Sequence, residues 1–254
     1  MPDERVVILT GAGGGLGSEA VKQLSRRGVR LVAVDINEES LSAAVAAADG
    51  DGEIVAVTAD VTDEASVRGF VDDAVSRWGR LDGIFNNAAI QGHVGPFVDY
   101  ETDELWRVLR VNLFAAWLGM KYAIPHLIAN GGGSIVNTGS SLAYRGWKEV
   151  PAYVASKHAL AGLTKTVAIE YGSKNIRANL LSPSSMNAPM LWPVAENVGG
   201  GDLEAGLREI AALAPNGQLA QPGDVAEIGV WLLLDAPAHL SGVILPVDGA
   251  ETAG

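Results

Sequence analysis

Short apolar runs alternate along the chain with longer segments in which apolar residues return at helical spacing. Seven runs read as strands: Val6 to Leu9, Leu31 to Val34, Ile54 to Val57, Ile84-Phe85, Ser134 to Asn137, Ala178 to Leu181 and Val243 to Val247. Most are apolar throughout and do not alternate, the pattern of parallel strands covered on both faces. The covering helices are predicted over Leu16 to Arg27, Glu38 to Ala47, Glu64 to Trp78, Thr102 to Ile128, Tyr153 to Tyr171 and Gly223 to Leu234. This alternation predicts a doubly wound α/β fold, a seven-stranded parallel sheet flanked by helices on both faces. No repeat or linker interrupts it, so residues 1–254 read as a single domain. Ser182 to Asn216, rich in Pro, Gly, Met and Trp, stands apart as a long irregular region. It follows the sixth strand, where open α/β sheets bind ligands, and Met186, Met190, Leu191 and Trp192 are apolar. A binding lid over about 184–216 is predicted; a disordered surface loop is the competing reading.

The turn after the first strand reads Thr10-Gly11-Ala12-Gly13-Gly14-Gly15-Leu16-Gly17. Gly11, Gly14, Gly15 and Gly17 permit a tight turn, and with Leu16 they bring backbone N–H groups to a pyrophosphate at the positive end of a helix. Asp35, at the end of the second strand, has the spacing of a dinucleotide fingerprint. Its carboxylate can accept from the adenosine ribose hydroxyls and would repel the extra phosphate of NADP. Neither Gly14 nor Ile36 offers that phosphate a basic group, so NAD is the expected cofactor. A simple turn before Asn37 is the competing reading of Asp35. Asp60 and Val61 can contact adenine, with a helix N-cap near Thr62-Asp63 competing for Asp60. Asn86-Asn87-Ala88-Ala89 is a small polar turn suited to the ribose, or an ordinary Asn turn.

Tyr153-Val154-Ala155-Ser156-Lys157 puts a phenol and an ammonium one helical turn apart on the same face. A free phenol titrates near about 10, and a neighbouring ammonium together with an oxidised nicotinamide would lower that value. Lys157 could also reach the nicotinamide ribose. Ser140, which ends the fifth strand's run, can hydrogen-bond a substrate oxygen, with Ser141 as its rival.

With these motifs in order, and with the isolated Asn112, the chain resembles the short-chain dehydrogenase/reductase family over nearly its whole length. The resemblance implies a Rossmann-like fold and metal-free hydride transfer between NAD(H) and a secondary alcohol or ketone. It implies Tyr153 as general acid/base, Lys157 as its tuner, Ser140 orienting the carbonyl and Asn112 holding a relay water. A backbone-bonding kink is the competing reading of Asn112. It also implies a homotetramer joined through the helices over Thr102 to Ile128 and Tyr153 to Tyr171 and the strand near Val247-Asp248-Gly249. Trp106, Leu109, Phe114, Trp117, Met120, Leu160, Leu163 and Val167 are the apolar residues in those helices that would support it. The chain departs from the family after the sixth strand. Pro183 is followed by Ser184 where glycine is usual, and Ala188 stands at the expected Thr, so the nicotinamide amide would rely on the Met186 backbone, Asn187 or water. Ala89 likewise replaces a usual glycine.

Gln91, His93, Leu142, Tyr144, Trp147, Met190, Leu191 and Trp192 are candidates for the substrate wall, which suits an apolar, cyclic or aromatic molecule. Two readings compete: His93 facing water, and Arg145 with Lys148 gripping an anion. The formal net charge of −12 argues against nucleic acid and anionic membrane surfaces as partners. The absence of cysteine and the four scattered histidines argue against a metal site. Acids in Met1 to Arg5 and the lack of a long apolar run predict a cytoplasmic protein. Two other functions compete. A reductase of 3-oxoacyl thioesters commonly uses NADPH and a basic patch, against Asp35 and the net charge. A non-catalytic dinucleotide-binding regulator would have no need of Ser140, Tyr153 and Lys157.

Overall fold

The computed structural model describes residues 4–253, so Met1-Pro2-Asp3 of the acidic start lie outside the described residues. Its centre is β1 (Val6–Thr10), buried at every position. Val6 and Ile8 enter one apolar layer and Val7 and Leu9 the other, as the period of a strand requires. Around it stand β2 (Arg30–Asp35), β3 (Ile54–Thr58), β4 (Gly83–Asn86), β5 (Gly133–Thr138), β6 (Ile176–Pro183) and β7 (Ile244–Val247). All pair in parallel in the order β3-β2-β1-β4-β5-β6-β7. The chain therefore reverses its direction across the sheet between β1 and β4, and a crevice opens at their carboxyl ends.

Helices α1 (Gly15–Arg26), α2 (Glu38–Ala46) and α9 (Pro222–Leu234) cover one face through Leu16, Leu24, Leu41 and Val230. The other face is covered by α3 (Glu64–Trp78), α5 (Ala115–Ala129) and α6 (Pro151–Tyr171) through Phe70, Leu118 and Leu160. Each boundary has a local cause. α3, for example, starts where the Asp63 side chain accepts from Ser66 N and stops at Gly79, which takes the left-handed φ of 74°. Among the described residues no helix is long and apolar enough to cross a membrane.

Two expectations are corrected. The helix predicted from Thr102 to Ile128 is α4 (Thr102–Leu109) joined to α5 by a π turn over Arg110–Phe114. The region from Ser182 to Asn216 is not irregular. Ser182 and Pro183 finish β6, and α7 (Trp192–Val198) and α8 (Leu203–Ala211) follow. Pro193 near the start of α7 and the Asp202 cap on Ala205 N set these helices, and the run Gly199-Gly200-Gly201 parts them. Val194, Ala195 and Ile210 form a small third core with Leu142, Trp147 and Leu191. Of the apolar residues expected at subunit contacts, Met120, Leu160 and Val167 are buried within the chain, whereas Trp106, Phe114 and Trp117 are exposed.

Where α5 crosses β4, Gly119 is the only size that fits. A Cβ there would stand 2.2 Å from Asn86 Oδ1, and the Asn86 amide donates to Asn137 Oδ1 at 2.8 Å. Gly119→Ala is expected to lower the unfolding free energy by about 1–2 kcal/mol in urea titration, despite the gain in helix propensity. An unchanged or higher midpoint would show that the crossing can relax.

Candidate active site

A cleft of about 670 Å³ runs along the carboxyl ends of the strands. At one end the glycine turn meets α1 backbone to backbone. Gly11 has φ +67° and lies so near the β4 turn that a Cβ would come within 2.8 Å of Ala88 Cα. A Cβ on Gly17 would lie 1.9 Å from the Gly11 carbonyl oxygen. Gly17 is thus a packing residue behind the cleft, while Gly11, Gly14, Gly15 and Leu16 line it. Gly14 is the N-cap of α1 and supplies no side-chain acceptor, so the first N–H groups of α1 are left for a ligand. Asp35 shapes the same loop: Oδ2 accepts from Gly13 N and Oδ1 from Asn37 N, both at 2.9 Å. The turn reading and the cleft reading of Asp35 are therefore compatible, since a carboxylate oxygen keeps a second lone pair. Ile36, Asp60 and Val61 complete this end. The Asp60 carboxylate accepts from Thr62 N, and the α3 cap is Asp63, so Asp60 is free of the capping role.

The middle of the cleft is held by side-chain bonds between strand ends. Asn87 Nδ2 donates to the Gly11 carbonyl at 3.1 Å, and Asn87 Oδ1 accepts from Thr138 Oγ1 at 3.0 Å. Thr10 Oγ1 accepts from the backbone N–H groups of Asn87 and Ala88. Ala88, Ala89, Pro183, Ser184 and Met186 line the cleft beside them, as does Ala188.

Lys157 is 1% exposed, its Nζ donates to the Thr138 carbonyl at 2.7 Å, and it lies 5.3 Å from the centre of the Tyr153 ring. Burial lowers its pKa to about 7. Burial pushes the Tyr153 phenol up to about 12, opposed by its hydrogen bond with Ser140. Without ligands the phenol thus moves opposite to the expected tuning, because lost hydration outweighs the nearby amine. Ser140 Oγ also accepts from Leu142 N at 3.2 Å, and Ser141 lines the cleft beside it.

Asn112 sits within the π turn, 2% exposed and behind the cleft wall. Its Oδ1 accepts from Ile90 N, and its Nδ2 donates to the Ile90 carbonyl and to Ser156 Oγ. The Ser156 hydroxyl in turn donates to the Tyr153 carbonyl at 2.7 Å. The amide donors of Asn112 are both spent on tying the π turn to α6.

At the substrate end Gln91, Leu142, Trp147, Met190 and Leu191 line the cleft, but His93 and Trp192 do not. Glu104 accepts from His93 N, and the exposed His93 ring packs at 5.8 Å on Tyr100. Trp192 begins α7 and is 45% exposed. Tyr144 is exposed and donates to the Ile244 carbonyl. Lys148 is also exposed, and Arg145 pairs with Glu251, so the two do not form an anion grip. Sequence reading missed Val150, Val194, Ile210, Leu213 and Glu251 as lining residues. The first four announce only a core. Glu251 carries no local signal.

The comparisons accord with this geometry. A family model described as "Enoyl-(Acyl carrier protein) reductase" matches residues 11–250. Levodione reductase of Leifsonia aquatica is 32% identical, over 98% of this chain and 95% of that protein. Its crystal structure superposes with a TM-score of 0.95 and covers 100% of both chains. Cyclohexanol dehydrogenase of Acinetobacter sp. (strain SE19) is 36% identical, over 99% of this chain and 96% of that one. A crystal structure of NAD+-bound xylitol dehydrogenase is similar with a TM-score of 0.91 and 31% identity, covering 96% of this chain and 97% of that one.

The folded Lys157 value lies below the unfolded reference of 10.5. Unfolding therefore takes up a proton between pH 7 and 10.5, and the cost of burying this ammonium falls as pH rises through that window. Lys157→Met is expected to raise the melting temperature of the ligand-free chain most at pH 6 and less at pH 9. A stabilisation independent of pH would mean that the amine titrates normally in the fold.

Proposed function

The chain belongs to the short-chain dehydrogenase/reductase family, and on that premise we propose that it interconverts a cyclic secondary alcohol and its ketone with NAD(H). The observation that carries this reading is the placing of Ser140, Tyr153 and Lys157 on one cleft wall that continues into the apolar surface of Leu142, Trp147, Met190 and Leu191. The cyclohexanol and levodione activities of the relatives support the substrate class.

The residues fit a dinucleotide. The uncapped N-terminus of α1 and the close Gly11 to Gly17 turn would hold the pyrophosphate, and Asp35 the adenosine ribose. Asp60 and Val61 would meet the adenine. Lys157 has two ammonium protons beyond the one given to Thr138 and would use them on the second ribose. When bound, the nicotinamide supplies or accepts the hydride. Tyr153 Oη gives a proton to the substrate oxygen in reduction and takes it back in oxidation, and Ser140 Oγ holds that oxygen in line. A phenol raised to about 12 carries its proton in the ligand-free chain and stands ready as the acid. Asn112 acts by holding Ile90 and α6, with any relay water placed by the backbone around it. Residues 184–216 work as the lid of a single domain, and exposed Trp106, Phe114 and Trp117 serve contacts in a homotetramer. Asp35 favours NAD over NADP by charge repulsion.

Two measurements test the reading. Tyr153→Phe is expected to lower kcat for cyclohexanol oxidation by about 10²–10⁴-fold while NADH binding, followed by fluorescence, stays within a few-fold. Turnover surviving in the Phe variant would end the proposed proton transfer. The wild type should prefer NAD to NADP in kcat/KM, and Asp35→Asn should narrow that preference about tenfold or more. An NADP preference together with reduction of a 3-oxoacyl thioester would favour the acyl reductase instead.

A further inference from the structure

Around Ser140 the cleft is walled by Leu142, Trp147, Val150, Met190, Leu191 and Val194, and into this apolar wall the chain sets a guanidinium and a carboxylate. Arg145 lies over the Trp147 ring at 5.5 Å and pairs through Nη2 with Glu251 Oε1. The Glu251 side chain is 3% exposed and that of Arg145 33%. Glu251 arrives from the end of the chain on a turn organised by Asp248, which accepts from Ala250 N, Thr252 N and Thr252 Oγ1. Ala250 takes a left-handed φ of 70° within that turn. Burial raises the Glu251 carboxyl, opposed by the Arg145 charge and the Ser141 hydroxyl.

The pair leaves two atoms unsatisfied. Arg145 Nε and Glu251 Oε2 are both buried without a hydrogen-bond partner. An orphan of this kind costs about 1–3 kcal/mol, which a ligand supplying the missing partner would recover. One orphan is a donor and the other an acceptor. A hydroxyl can accept from the first and donate to the second. A ketone oxygen can only accept, and a carboxylate would meet the charge of Glu251. Ser141 adjoins Ser140, so the pair reads a substituent on the same small molecule whose oxygen Ser140 holds.

We propose that Arg145 and Glu251 are a specificity pair for a second, non-reacting hydroxyl, so that the preferred substrates are ring diols or hydroxyketones and not monofunctional ring alcohols. The inference rests on the cyclic-alcohol reading for the reacting group; the hydroxyl site itself does not require turnover.

Initial rates and thermal shifts with NAD present are compared for cyclohexanol and the 1,2-, 1,3- and 1,4-cyclohexanediols in wild type, Glu251→Gln and Arg145→Lys. At least one diol is expected to exceed cyclohexanol in kcat/KM by about tenfold, through KM, and both variants should collapse that ratio toward one. Equal values for cyclohexanol and every diol in the wild type overturn the pair while leaving the dehydrogenase reading in place. A ratio that survives both variants while the rates fall together also overturns it, leaving a structural tie. If no alcohol is oxidised but a diol raises the melting temperature of wild type and not of Glu251→Gln, the pair stands and the dehydrogenase reading falls. No turnover and no shift with any diol overturns both.

Discussion

A primary amine kept at 1% exposure needs a fixed partner, and Lys157 has one in the Thr138 carbonyl oxygen at 2.7 Å. That bond joins α6 to the end of β5. From Thr138 the connection continues through its hydroxyl to Asn87 and through the Asn87 amide to the Gly11 carbonyl. The carboxyl ends of β1, β4 and β5 and the middle of α6 are thereby locked to one another. Tyr153, one turn before Lys157 on α6, takes its position relative to the glycine turn from this chain of bonds. The π turn adds a second tie, through Asn112 and Ser156, to the same part of α6.

The same burial that orders the amine governs its electrostatics. Loss of hydration disfavours the charged form of either side chain, so the Lys157 ammonium is weakened while the Tyr153 phenol is made a poorer acid. The protein alone therefore does not prepare a phenolate. The Ser140 hydrogen bond works against the burial of Tyr153, and further Coulombic help has to arrive with what binds in the cleft.

Much of this was legible in the sequence because it is local. Apolar runs such as Val6 to Leu9 reveal buried parallel strands, and Tyr153 with Lys157, or Gly11 with Gly17, express their geometry through spacing alone. α7 and α8 were obscured by composition: Pro, Gly and Trp suggest irregular chain, whereas Asp202 capping Ala205 and the three glycines from Gly199 delimit two short helices. His93 was misplaced because nothing nearby in sequence shows that Glu104 and Tyr100 draw it outward. The Arg145 to Glu251 pair joins positions 106 residues apart, and no periodicity reaches that far. The direction of the Tyr153 shift was hidden for a related reason: spacing reveals the neighbouring charge and not the missing water.

The π turn over Arg110–Phe114 resets the helical phase between α4 and α5. An α-helix turns about 100° per residue, so one additional residue in a turn redirects everything that follows. As built, α5 places Leu118 and Met120 in the core and Trp117 at the surface. Deleting a single residue inside the turn would restore an unbroken helix and rotate that face, bringing an indole toward the sheet and a thioether toward solvent. Length in this segment is consequently under tighter constraint than the identity of its surface residues: a lineage could exchange Arg110 or Phe114 freely, yet a one-codon deletion there would misalign half of one layer of the fold.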